Sequence, residues 1–193
     1  MSLLAERLRP LGERRVMEHR VVHGLLVRIL NTRPDIDTEH VVQRVSAALD
    51  LIAAYAPRRY RRLRQDLAGF VVQRFACRGA FFPECRECLV ELTFTVNPRH
   101  TLAEIAASIV HEATHARVAR MCRAPAPEQR PREERLCRRA ELEFGLALPD
   151  GAVVVERARS SLALSDPEVA PAVDWTEAVR RVVEVDARAR RGS

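Results

Sequence analysis

Five consecutive residues carry the strongest chemical signal in this sequence: His111-Glu112-Ala113-Thr114-His115. On a helix, side chains four residues apart lie about 40° apart around the axis and about 6 Å apart along it. Two imidazoles so placed can bind one metal ion, and zinc suits a histidine pair completed by a third protein ligand. Glu112 stands beside the pair and need not bind the metal. A carboxylate in that place polarises a water activated by the metal and then shuttles its proton. Zinc lowers the pKa of such a water toward about 7, so a nucleophile is available at neutral pH. With 6 histidines and 26 acidic residues in 193 positions, random placement yields about 0.02 matches to His-acid-x-x-His. Chance is therefore a poor explanation of the motif.

A catalytic zinc site takes three protein ligands and keeps the fourth position open. The segment Arg132 to Leu148 reads as a helix and offers Glu133, Glu134, Glu141 and Glu143. Glu134 and Glu141 are seven residues apart and so share one helix face. The Pro-rich stretch Arg123 to Pro131 turns the chain back, which places Glu134 in the first turn of the returning helix. Glu134 is the preferred third ligand and Glu141 the alternative. The one that does not bind metal is expected to hold a ligand imidazole or to pair with an arginine such as Arg138. His19 and His23 repeat the i, i+4 spacing without an adjacent acid, and read as ordinary helix histidines.

Five cysteines are present: Cys77, Cys85, Cys88, Cys122 and Cys137. Cys85-x-x-Cys88 has metal-ligand spacing and Cys77 could add a third donor, but no second pair exists. Free thiols are expected, given an odd count in a reducing compartment.

These groups need elements to hold them. A first helix is expected over Leu11 to Leu30, and a second from the cap Asp37 to about Ala56, with Val41, Val45, Leu49 and Ile52 on its apolar stripe. Arg58 to Leu67 reads as a short basic helix ended by Gly69. Phe70 to Phe75 and Cys88 to Val96 read as strands, joined by a loop over Gly79 to Glu87 and able to pair antiparallel. Thr101 and Glu104 form a capping box for the motif helix, which runs to about Met121. Further helices follow at Val153 to Leu164 and from Trp175. The fold class is α+β: a small sheet with several helices, the motif helix packed under the sheet. Residues 1–69 form an N-terminal helical region, 70–150 the catalytic core and 151–193 a C-terminal helical extension, together one compact domain.

Composition bounds the rest. Hydrophobic content of 47% and charged content of 30% are those of a globular chain. No apolar stretch approaches the roughly 20 residues that span a bilayer, and Glu6, Arg7 and Arg9 interrupt any signal-peptide core. A cytoplasmic protein without membrane attachment is expected. The net charge of +6 comes from arginine alone, since lysine is absent. Arg58, Arg59, Arg61, Arg62 and Arg64 motivate an alternative function: a basic helical module binding nucleic acid or a protein, with a vestigial metal site. No helix-turn-helix or aromatic pattern accompanies them, so a solvated face is favoured.

The run Ile109 to Arg117 resembles the zincin metallopeptidases, and the downstream glutamate helix is similar to their gluzincin branch, of which thermolysin is the familiar member. The whole run through Glu134-Arg135-Leu136-Cys137 also resembles uncharacterised bacterial zinc peptidases. The resemblance covers mainly Phe70 to Leu148. It implies a zinc-dependent metallopeptidase acting on peptide or protein substrates, with Glu112 as catalytic base and Cys88 to Val96 as the edge strand that receives the substrate. One position departs. Thermolysin-like enzymes place an aspartate four residues after the ligand glutamate, and here that position is Arg138. Candidates for a transition-state donor are His100, Tyr55 and Tyr60.

Overall fold

The Leu11 to Leu30 segment is a β-hairpin over its described part. A computed structural model describes residues 17–121, 127–172 and 174–191. In it, β1 (Glu18–Val22) and β2 (Leu25–Leu30) pair antiparallel about His23-Gly24. Both turn residues have positive φ, 53° and 73°, the two-residue geometry whose twist suits a hairpin. The apolar residues here fit either period. Leu25, Val27 and Ile29 are buried while Leu26 is exposed, so the operative period is two, that of a strand. Residues 11–16 of the expected helix lie outside the described residues. His19 and His23 are therefore strand and turn residues, and His23 Nδ1 lies 2.8 Å from the Tyr60 hydroxyl.

Helix α1 (Thr38–Tyr55) starts where Asp37 accepts from the amides of Glu39 and His40, at 3.2 and 3.1 Å. Its stripe of Val41, Val45, Ala48, Leu49 and Ile52 is wholly buried. Helix α2 (Pro57–Asp66) has proline at its first position, where the missing N–H costs nothing. It is capped at Leu67, so Gly69 is not its stop but the first residue of β3 (Gly69–Gln73). A methyl group on Gly69 would sit 2.5 Å from the Leu26 carbonyl oxygen, and only glycine lets β3 lie this close to β2.

The predicted Gly79 to Glu87 loop contains a strand, β4 (Gly79–Phe82), and β5 spans only Glu87–Glu91. The sheet order is β1-β2-β3-β5-β4. Strands β2, β3 and β5 run parallel, and β1 and β4 pair antiparallel at the two edges. The antiparallel pairing of Phe70 to Phe75 with Cys88 to Val96 is thus corrected to a parallel one, because the antiparallel neighbour of β5 is β4. The second half of the predicted strand is helix α3 (Leu92–Val96). There the Glu91 carboxylate accepts from the Phe94 amide at 2.6 Å and the Thr95 hydroxyl donates to the Glu91 carbonyl at 2.8 Å. This cap overrides the alternating pattern.

Helix α4 (Leu102–Met121) carries the motif. Its amide at Glu104 lies 3.2 Å from the Thr101 hydroxyl, and the Thr101 amide donates to the Glu104 carboxylate at 2.9 Å. Buried Ile105, Ala106, Ile109 and Val110 seat a helix that contacts β4, β5, α1 and α2. After a 3₁₀ turn at Pro127–Gln129, helix α5 (Arg130–Ala147) returns along α4, and α6 (Ala152–Leu162) packs on α5. Helices α7 (Asp166–Val169) and α8 (Trp175–Arg191) follow. Buried Asp186 ties α8 to the sheet by accepting from Arg74 Nε at 2.8 Å. The fold is α+β, with one five-stranded mixed sheet. No described helix is long and apolar enough to cross a membrane.

Candidate metal centre

The turn geometry of α4 brings His111 Nε2 and His115 Nε2 to 3.2 Å. Helix α5 presents its carboxylates to this pair. Glu134 Oε2 is 3.3 Å from His111 Nε2, and Glu134 Oε1 is 3.5 Å from His115 Nε2. The opposite ring nitrogens are held by other acids. Glu141 Oε1 lies 2.6 Å from His111 Nδ1, and Glu133 Oε1 lies 2.7 Å from His115 Nδ1. Glu134 and Glu141 both face α4, as their shared helix face implies, but they meet different edges of the rings. Glu143 points elsewhere and pairs with Arg59.

Glu141 is itself gripped. Arg138 Nη1 donates to Oε1 at 2.7 Å and Arg157 Nη2, from α6, donates to Oε2 at 3.0 Å. Arg138, which stands where the thermolysin-like pattern has an aspartate, thus supports the carboxylate that holds His111. Neighbouring carboxylates of this kind fix the ring orientation and tautomer of a ligand histidine.

Glu112 is buried under β4. A methyl group on Gly79 would sit 2.9 Å from Glu112 Oε1 and 3.0 Å from Ser108 Oγ. Gly79 is therefore what lets an edge strand cross the motif helix at this level. It was invisible as a site residue in the sequence, because nothing local marks a glycine as facing a helix far along the chain.

Charge separates the acids. Burial works against ionising Glu134, but its contacts with His111 and His115 hold it well below the usual carboxylate range. Glu141 is likewise held down, by His111 and its two arginines, against the effect of burial. Burial alone would lower both histidines. Contacts with Glu134 and Glu141 raise His111, and contacts with Cys137, Glu133 and Glu134 raise His115. Glu112 goes the other way: burial pushes its pKa up against the pull of the two histidines. The site thus drives its acids apart, favouring the charged form of Glu134 and Glu141 and the neutral form of Glu112.

Cys137 is the donor that the sequence motif does not reveal. Its sulfur and one nitrogen from each of His111 and His115 lie within 4.8 Å of one another. The signal was present: Cys137 is three residues after Glu134 and shares its face. Burial pushes its thiol up to about 11. The Glu134 oxygens lie on the same side, 3.3 and 3.5 Å from the facing Nε2 atoms. The other described cysteines are free thiols, Cys85 exposed, Cys88 buried in β5 and Cys77 half-buried, and Cys122 lies outside the described residues.

The remaining candidates lie apart from the cavity, of about 650 Å³, that holds these groups. His100 pairs with Glu104, Tyr60 with His23, and Tyr55 lines a different pocket. Arg58, Arg61, Arg62 and Arg64 form an exposed face of α2. The chain matches no protein-family model, no curated protein and no solved structure.

Proposed function

We propose that the chain is a zinc-dependent metallopeptidase of the gluzincin kind, hydrolysing peptide bonds in peptides or proteins. The observation that carries the proposal is the approach of the Glu134 carboxylate, at 3.3 and 3.5 Å, to two imidazole nitrogens that face each other at 3.2 Å. Two nitrogens and an oxygen in the wall of a cavity suit zinc with an open fourth position. When bound, zinc supplies Lewis acidity toward a water and the scissile carbonyl.

The chain's own residues do the rest. His111, His115 and Glu134 hold the ion. Glu141 and Glu133 keep the Nδ1 edges occupied, so that the Nε2 lone pairs are the ones offered. Glu112, with its raised pKa, takes the proton of the attacking water and returns it to the leaving amine. An extended peptide adds to the outer edge of β4, beside Glu112. This role falls to β4 and not to Cys88 to Val96, since β5 is an interior strand.

Cys137 favours a second reading. With sulfur as a further donor beside both histidines, the cluster suits a closed structural zinc site that holds the fold and does no chemistry. One experiment separates the two. The protein is depleted of metal, reloaded with zinc and assayed against a peptide library beside Glu112→Gln. Zinc-dependent cleavage that the variant loses supports the peptidase. Zinc-dependent folding with no cleavage supports the structural site.

A further inference from the structure

The cavity around His111 and His115 is also lined by Arg78, Arg138 and Arg157. Arg138 and Arg157 share a single carboxylate, Glu141, which also meets His111 Nδ1 at 2.6 Å. The Nε atoms of both arginines are buried and have no hydrogen-bond partner. Each is a donor that Glu141 leaves unsatisfied. Arg78 precedes β4 and lies over the Phe94 ring at 5.0 Å. Its ion-pair partner is Glu104, at a loose 3.5 Å. Glu104 in turn is occupied by the Thr101 amide at 2.9 Å and by His100 at 3.1 Å.

Three guanidinium groups therefore share two carboxylates, and each carboxylate has another claimant. The remaining acids of the cavity do not restore the balance. Glu133 and Glu134 are turned to the histidines, and Glu112 is buried against Gly79 of β4. Burial pulls the Arg78 pKa down, and the charges of Arg157 and Arg138 add to this while Glu104 and Glu141 oppose it. A divalent ion held by His111, His115 and Glu134 would add to the positive field. The planar guanidinium fork matches a carboxylate and binds it with charge-assisted hydrogen bonds.

We propose that Arg78, Arg138 and Arg157 form a carboxylate-binding subsite beside the metal centre, so that preferred substrates carry a carboxylate next to the scissile bond. This rests on the peptidase reading of the same cavity. The carboxylate belongs either to an acidic side chain or to a free peptide C-terminus, which present the same chemistry.

The test is calorimetric titration of the zinc-loaded full chain with hydroxamate-capped dipeptides. Four are compared: Glu or Gln as the end residue, each as C-terminal acid or amide. A carboxylate-bearing form is expected to bind about tenfold more tightly than the neutral Gln amide, a gap typical of one charge-assisted contact. Which form shows the advantage identifies the source of the carboxylate. Arg78→Gln is the cleanest variant, because Arg78 pairs with Glu104 and not with the carboxylate that holds His111. There the advantage falls below about twofold, while zinc content stays at the wild-type level. Arg78→Glu shifts the preference toward a Lys-bearing dipeptide. Equal binding of all four ligands by the wild type, or an unchanged preference in both Arg78→Gln and Arg157→Gln, overturns the subsite and leaves the peptidase standing. Failure of every hydroxamate to bind a zinc-loaded chain overturns the peptidase reading, and the subsite with it.

Discussion

Glu141 meets His111 at Nδ1, 2.6 Å away, on the ring edge opposite the Nε2 atom that faces Glu134 at 3.3 Å. One imidazole is thus held between two carboxylates from the same helix face. On the proposed reading the inner acid binds metal and the outer one orients the ring. Replacing Glu141 by Gln removes the charge that anchors the ring and is expected to weaken zinc binding about 10–100-fold. Competition with a chromogenic chelator measures this. Glu134→Gln should lose more, and a larger loss in Glu141→Gln would reverse the assignment.

Glu112→Gln should retain zinc and lose hydrolysis, because an amide cannot accept the proton of the attacking water. Metal content and turnover of a confirmed substrate are read on the same sample. Turnover at the wild-type rate would remove Glu112 from the mechanism.

Gly79→Val tests the crossing of β4 over α4. Even the first carbon of the new side chain would lie 2.9 Å from Glu112 Oε1. Overpacking of this kind costs about 1–3 kcal/mol, read by denaturant unfolding, and cleavage should fall while zinc is kept. A variant as stable and active as wild type would show that the strand does not lie this close to the base.

The fold and the site were unevenly legible. The i, i+4 histidines, the adjacent acid, the Asp37 cap and the Thr101-Glu104 box depend on local spacing, and local spacing is what a sequence displays. The Leu25 to Leu30 strand was obscured because its apolar residues satisfy a helical period as well, and only His23-Gly24 at positive φ marks the turn. Strand direction was not legible, since it depends on which strand lies next to which. Nor was the division of labour between Glu134 and Glu141. Both lie on one face, and which ring nitrogen each meets depends on how α5 is set along α4. Arg157 enters by the same tertiary route, whereas Cys137 was marked by its place three residues after Glu134.

Proton release should accompany metal binding. Glu134 and Glu141 raise the pKa of His111, and Cys137, Glu133 and Glu134 raise that of His115, in the metal-free chain, while Glu134 and Glu141 are lowered. A lowered acid adds stability above its unfolded pKa, about 4.3, and that stability is lost as pH falls through the folded value. A raised histidine adds stability that is complete below about 6.5 and is lost as pH rises through the folded value. The cluster therefore stabilises the metal-free chain most between about pH 4.3 and 6.5. Zinc takes neutral imidazole, so its apparent affinity rises with pH. Calorimetry in buffers of different ionisation enthalpy reads the protons released, and none released would contradict the charged clamp.

Metal content tests the central claim most directly. After depletion and reloading, the wild-type chain is expected to hold close to one zinc per molecule by elemental analysis. The His111→Ala, His115→Ala double variant, verified as folded by circular dichroism, is expected to hold almost none. Stoichiometric zinc in that double variant would contradict the account.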